Sequence, residues 1–440
     1  MKFRKILIFS LIFLVVSDAL LYIGNMGFES ALIVPVSLAA KYLVLFNLIW
    51  VASKSDWKDD LSKTVSVLFK LLLVWNIISI IRGVFLAHDY WDWKFLFFNS
   101  GLFFLIPLAF FIGKSMSLTQ ATFRYVIGYL FLLGFLAIPL GFLTNRQLYS
   151  RLMIPIGFFI VMIPYLKMRY RVLILVVAIT SVVLVTDFRT NIIKIVVSIL
   201  ILLTWYLRKY ISLGWLKMIH FALIFAPLVL LFLGATDQFN IFDQASQNNG
   251  YVVKDNKGNV GDDESLTADT RTFIYLEVFK TLNSQNSWLL GGGATAKYKT
   301  ESFDKLVENN QRYGSEVGFL NTLLYSGIIG AVLYALLLFV VSHNAIYYSN
   351  NWLSKMLGLV IISRWVLFFM EEFTQFDLNF YFLWIIIGLV STKQFRAMTD
   401  AQVALYFSNF KSWYLNVFQA KTLQTNELAI NNNEELIGKT

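Results

Sequence analysis

Long apolar runs broken by short polar stretches account for most of the 440-residue chain. A bilayer core takes roughly 20 apolar residues per helix, fewer where the helix is short. On that criterion the pattern predicts twelve spans, at 6–23, 31–52, 64–82, 97–113, 125–143, 152–166, 172–187, 190–207, 218–236, 316–341, 356–370 and 378–391. Basic residues in the breaks alternate. One set holds Lys2, Arg4 and Lys5; Lys54, Lys58 and Lys63; Lys114 and Arg124; Lys167, Arg169 and Arg171; Arg208, Lys209 and Lys217; and Lys355. The other set holds Lys94, Arg146, Arg151 and Arg189. Cytoplasmic loops carry the excess of Lys and Arg. The richer set therefore predicts both termini inside and the long segment 237–314 outside.

That divides the chain into a bundle at 1–236, an extracytoplasmic loop domain at 237–315, a second bundle part at 316–391 and a cytoplasmic tail at 392–440. The segment 237–266 is rich in Asn, Gln, Gly and Asp and reads as a mobile loop. From Asp269 or Thr270, as cap, Phe273, Leu276, Phe279 and Leu282 recur at helical spacing, which predicts an amphipathic helix ending at 283–287. A second, polar helix is expected over 302–312. In the tail, Val403, Phe407, Phe410, Trp413 and Phe418 predict an aromatic helix lying on the inner leaflet. The last ten residues read as unstructured.

Composition agrees with a membrane class: 58% of residues are apolar and 15% charged, where a soluble domain carries about a quarter charged. Net charge is +10, but its confinement to alternate breaks points to topology rather than to nucleic acid. The MKFRK start followed by an apolar run containing Asp18, with no small-residue cleavage site, reads as a retained first helix. Without Cys there is no disulfide, thiolate metal site or Cys nucleophile. The three His (His88, His220, His343) are far apart in sequence, so no His-based metal site is expected.

Polar candidates concentrate in 266–331. Arg271 opens the amphipathic helix and is either a solvated interface residue or a phosphate clamp, since guanidinium matches phosphate oxygens. Gly291, Gly292 and Gly293 are either a flexible turn or a close backbone approach to substrate with free N–H groups. Glu316 heads the next span, as a helix-terminal charge or as a partly buried general base at the membrane–water boundary. Asn321 is the next polar residue along that helix. Gly327 and Gly330 suit close helix packing. Arg189 lies in a short outer turn with Asp187 and Lys194. Arg364 falls inside a span, where charge is costly and is paired or lines a cavity. Glu371 and Glu372 are its sequence-level partners. Lys70 and Arg82 are placed to snorkel, and Lys41 is more central. His88, Asp89 and Asp92 sit in an aromatic loop, read as an interface belt.

The order of these features resembles the O-antigen polymerase and O-antigen ligase superfamily of integral membrane glycosyltransferases. The resemblance rests on Arg189 in FRTN, Arg271, WLLGGG, Glu316 and the helix from Gly318 to Gly330. It implies a metal-independent, cofactor-free enzyme of the bacterial inner membrane that joins undecaprenyl-pyrophosphate-linked repeat units on the extracytoplasmic face. Glu316, Arg271 and Arg189 are then the catalytic candidates. Arg364, Gly291, Gly292, Gly293 and Asn321 are the substrate-binding ones. The implied partners are the lipid-linked glycans, the bilayer, and a chain-length regulator and flippase. Ligases of the superfamily carry a His near the place of Glu316; its absence here favours a polymerase. A lipid-linked oligosaccharide flippase or transporter is the main rival, against which stands the paucity of mid-span charge.

Overall fold

The computed structural model describes residues 6–9, 11–15, 33–55, 60–97, 101–128, 155–184, 189–235, 250–254, 260–265, 272–300, 310–370 and 376–408. Helices dominate these, as expected of an all-α membrane protein. They are α1 (Ile33–Lys54), α2 (Lys63–Leu86), α3 (Tyr90–Phe95), α4 (Gly101–Lys114, with a 3-10 turn at Ile106–Ala109), α5 (Met116–Gly128) and α6 (Ile156–Ile160). Next come α7 (Met168–Leu184), α8 (Arg189–Tyr206), α9 (Leu213–Ala235) and, after a ribbon of β1 (Gly250–Lys254) and β2 (Val260–Ser265), α10 (Thr272–Ser284). A second ribbon pairs β3 (Tyr298–Lys299) with β4 (Gln311–Arg312). The chain closes with α11 (Gly318–Tyr347), α12 (Trp352–Phe368), α13 (Leu378–Ser391), α14 (Lys393–Ala397) and α15 (Asp400–Ser408).

Pro35–Lys54, Lys63–Leu86 and Gly318–Tyr347 are each long and apolar enough to cross a membrane. Gly101–Lys114 and Met116–Gly128 form a pair bent by 107°. By length and composition that makes three spans, or four with the bent pair, among the described residues, so the expected count of twelve is not reached on this measure. Helices nevertheless coincide with the expected spans at 31–52, 64–82, 172–187, 190–207, 218–236, 316–341, 356–370 and 378–391. The expected span at 152–166 is not one helix: α6 gives way to a 3-10 turn at Ile163–Tyr165, with Pro155 before the first and Pro164 inside the second. Proline lacks the N–H an unbroken helix needs.

The bundle is built around α13. All fourteen of its residues are buried, as an all-round apolar helix requires. Phe69 of α2 stacks on Phe110 of α4 (4.2 Å) and lies 6.1 Å from Trp384 of α13. Phe123 of α5 and Tyr334 of α11 pack on Phe382 and Trp384 at about the same spacing, 5.9 and 6.0 Å. Around this core α2, α7, α8 and α9 turn large apolar side chains outward, among them Phe85, Ile179, Leu200 and Phe221. Apolar surface on that scale marks contact with lipid.

Two sequence expectations change here. The segment 237–266 is not loop throughout, because β1 and β2 pair from Gly250↔Ser265 to Lys254↔Val260. The tail helix does not lie on lipid over its described part: Val403 and Phe407 are buried, and Phe407 stacks on Phe123 at 5.9 Å. Asp400 fixes its start by accepting from the Tyr165 hydroxyl (2.6 Å) and the Trp352 N–H (2.9 Å). The remainder of that expected helix, from residue 409, lies outside the described residues.

Candidate active site

The most constrained feature is a break in α11. Gly327 has φ 66° and ψ −170°, which divides the helix into 318–326 and 328–347. The second part is about 30 Å long at 1.5 Å per residue, enough to span a bilayer core. A broken helix frees carbonyls on one side and N–H groups on the other, and inside apolar surroundings both need partners. The WLLGGG turn supplies them. The N–H groups of Gly292 and Gly293 donate to the Leu324 and Tyr325 carbonyls (2.7 and 3.0 Å). In return the Ile328 and Ile329 N–H groups donate to the Trp288 and Leu289 carbonyls (2.8 and 3.4 Å). Trp75 Nε1 of α2 donates to the Ser326 carbonyl at 2.9 Å.

The turn is pinned to α2 as well. The Ala294 N–H donates to the Ser79 carbonyl (3.1 Å), and the Arg82 guanidinium forks onto the Leu290 and Gly291 carbonyls (2.5 and 2.6 Å). Arg82 therefore holds backbone rather than snorkelling. The expectation of free glycine N–H groups for substrate is not met, since Gly291 donates to Ser287 and the other two repair the broken helix. The glycines are explained by close approach instead. Gly291 has φ 70°, and a Cβ there would come within 2.6 Å of the Gly327 nitrogen.

Glu316 stands just ahead of the half-helix 318–326, which is itself about 13 Å long by helical rise. It is not the cap; Val317 takes that position without a side-chain bond. Nor is it buried as a base in a cleft, for its side chain is 49% exposed. It forms an ion pair with Arg312 at 3.1 Å. Asn321, expected to contact substrate, is 1% exposed and turned inward. Its amide closes on the Ser315 backbone from both ends, accepting from the N–H (2.5 Å) and donating to the carbonyl (2.9 Å). That clamp sets the path of the residue just before Glu316. The polar helix expected over 302–312 is strand at its described end, where Tyr298 pairs with Arg312 and Lys299 with Gln311.

The two faces of this short ribbon carry different clusters. On one, Arg312 faces the buried Tyr298 and Glu316, and Glu277 of α10 faces Tyr298. Burial raises the Tyr298 hydroxyl, and Arg312 only partly offsets it. On the other, Lys297 meets Asp92 of α3 at 2.7 Å and Asp89 at 3.6 Å, and the Tyr313 hydroxyl donates to Asp92 at 2.8 Å. Tyr313 also stacks on Phe95 (4.1 Å). The aromatic loop is thus tied to the ribbon rather than serving only as an interface belt. Burial works to raise the Asp92 carboxyl, but Lys297, the His88 N–H and the Tyr313 hydroxyl outweigh it and hold it at about 2.

A carboxyl held below its unfolded value stabilises the fold above that value and loses the effect as pH falls through its folded one. The cluster is therefore fully stabilising above about pH 4, by an amount on the order of 2 kcal/mol. Between about pH 4 and 2 the wild-type melting temperature in detergent is expected to fall more steeply than that of Asp92→Asn. Parallel curves for the two proteins over that interval contradict this account.

Several elements meet around the end of α12. Arg364 is buried, 3% exposed, with the Phe158 ring 4.9 Å from its guanidinium carbon. A methyl added to Gly157 of α6 would lie 3.7 Å from Arg364 Nη2 and 2.9 Å from Ser198 Oγ of α8. Phe319, three residues beyond Glu316, stacks on Phe369 (4.2 Å) and meets Trp365 edge-on. The Tyr275 hydroxyl of α10 donates to the Phe369 carbonyl at 2.7 Å. Arg189 opens α8, with its side chain outside the described residues. Arg271, one residue ahead of α10, and Glu371 and Glu372, beyond α12, are also outside them.

Reading the sequence missed Arg312, Lys297, Tyr298 and Tyr313, which flank the charged spacer after the glycines. The only available signal was a cation beside a tyrosine on each side of that spacer, AKYK and QRY. It also missed that His220 and His343, distant in sequence, lie 6.4 Å apart, with His220 bonded to Ser342 at 2.8 Å. No group of three or more His, Asp or Glu among the described residues is placed to hold a metal.

These features define a multi-pass integral membrane protein whose broken helix, glycine turn and polar ribbon form one assembly at one end of the bundle. Residues 173–335 match the O-antigen ligase family model, so this stretch of the chain is similar to that family. The match takes in Arg189, Arg271, the three glycines and Glu316 and stops short of Arg364. No curated protein and no solved structure matches the chain.

Proposed function

We propose that the protein is a polysaccharide polymerase joining undecaprenyl-pyrophosphate-linked oligosaccharide repeat units on the extracytoplasmic face of the bacterial inner membrane. The observation that carries this reading is the family match over the segment that holds nearly all the polar apparatus. A hydroxyl oxygen of the acceptor's terminal sugar attacks the anomeric carbon of the donor glycan. The bond from that carbon to the pyrophosphate oxygen breaks, and its electron pair leaves with the lipid pyrophosphate. Glu316, exposed at the head of the half-helix, accepts the hydroxyl proton. Arg271 and Arg189, together with Arg364, stabilise the leaving charge.

The second reading, a ligase, is favoured by the family model's description. Against it stands Glu316 where ligases carry a His. Reconstitution with lipid-linked repeat units decides between them. A polymerase yields a ladder of lengthening lipid-linked glycans. Transfer only to a different acceptor establishes the ligase, and translocation without transfer establishes a transporter.

A further inference from the structure

We propose that Arg312 is a positioning residue for Glu316, fixing the direction in which its carboxylate points; this rests on Glu316 acting as the base in the polymerase reading. The backbone around Glu316 is held at two points. Pairing of Arg312 with Tyr298 ties one end to the ribbon, and the Asn321 amide ties Ser315 at the other. The ribbon is itself anchored through Lys297 and Tyr313 to Asp92. What remains free is the Glu316 side chain, which is half-exposed and has several rotatable bonds. Arg312 removes that freedom through the 3.1 Å contact from Nη2 to Oε1.

Arg312 is suited to the task because its own place is set. Its side chain is 27% exposed and lies against Tyr298, which is fully buried. Glu277 of α10 is the other acid facing that tyrosine. A half-exposed ion pair contributes little to stability, so a contact built with this much support is better explained by orientation. Reaction rates are sensitive to it, because small misplacements of a reacting group cost up to about a hundredfold.

The test uses the full chain in lipid. Arg312→Met, which keeps length without charge, is expected to lower kcat for glycan extension by roughly tenfold to a hundredfold. KM and the melting temperature stay near wild type, and Arg312→Lys, which keeps a cation, recovers much of the rate. Wild-type kcat in Arg312→Met overturns the proposal, as does a loss confined to KM, which would make Arg312 a substrate-binding group. An infrared readout stands apart from activity: at neutral pH the carboxylate stretch of Glu316, assigned by its loss in Glu316→Gln, shifts in Arg312→Met. An unshifted band rejects the proposal. Should the wild type make no ladder, the polymerase reading fails and this band still decides whether Arg312 orients Glu316.

Discussion

Gly327→Ala is expected to destabilise the bundle by roughly 3–9 kcal/mol, a large part of the about 5–15 kcal/mol that holds a folded domain together. Two effects add. A side chain at φ 66° is strained, by about 1–3 kcal/mol. The new Cβ also overlaps the Leu289 carbonyl, which accepts from Ile329, and crowds the Gly291 nitrogen. Relieving the overlap pulls the turn off the break and breaks the four backbone hydrogen bonds of the joint, each worth about 0.5–1.5 kcal/mol net. A melting curve in detergent, followed by size-exclusion chromatography, measures this. Gly128→Ala is the control, since among the described residues a Cβ at Gly128 meets nothing within 4 Å. If Gly327→Ala melts with the control, the break is not held in the way described.

Glu316→Ala and Arg271→Ala are expected to abolish the glycan ladder in the reconstituted system while leaving the protein inserted. A general base accounts for about 10²- to 10⁴-fold in rate. A preorganised donor to developing charge accounts for about 10²- to 10³-fold. Glu316 is exposed, and a half-exposed ion pair is its main tie, so its removal should leave the melting temperature nearly unchanged. That separates loss of chemistry from loss of fold. Wild-type ladders from both variants return the two residues to their structural roles, as a surface ion pair and an interface arginine.

The transmembrane pattern was legible because apolar periodicity and run length reflect lipid contact directly. The positions of α1, α2, α11 and α13 follow from it within a few residues. The span at 152–166 failed for a local reason, the prolines at 155 and 164, which run length alone ignores. The glycines at 291–293 were visible as a motif, but their purpose was not. Close approach to a substrate and close approach to another stretch of the chain look alike in sequence, and only the hydrogen bonds to 324–329 distinguish them. Asn321 misled similarly: a lone amide near a helix start reads as a contact point, yet both its ends face Ser315. The ribbon residues Lys297 and Arg312 were hidden because their partners, Asp92 and Glu316, lie on other elements or across a turn.

The reciprocal bonding between the glycine turn and the break in α11 has a consequence for chimeras. Exchanging the loop region with that of a similar protein invites a cut at residue 315, just ahead of the long helix. Such a cut would separate 288–293 from 324–329, two stretches that complete each other's backbone bonding. A graft that ends after residue 329 carries both halves of the joint together, and its remaining obligations are to Trp75, Ser79 and Arg82 on the recipient's helix.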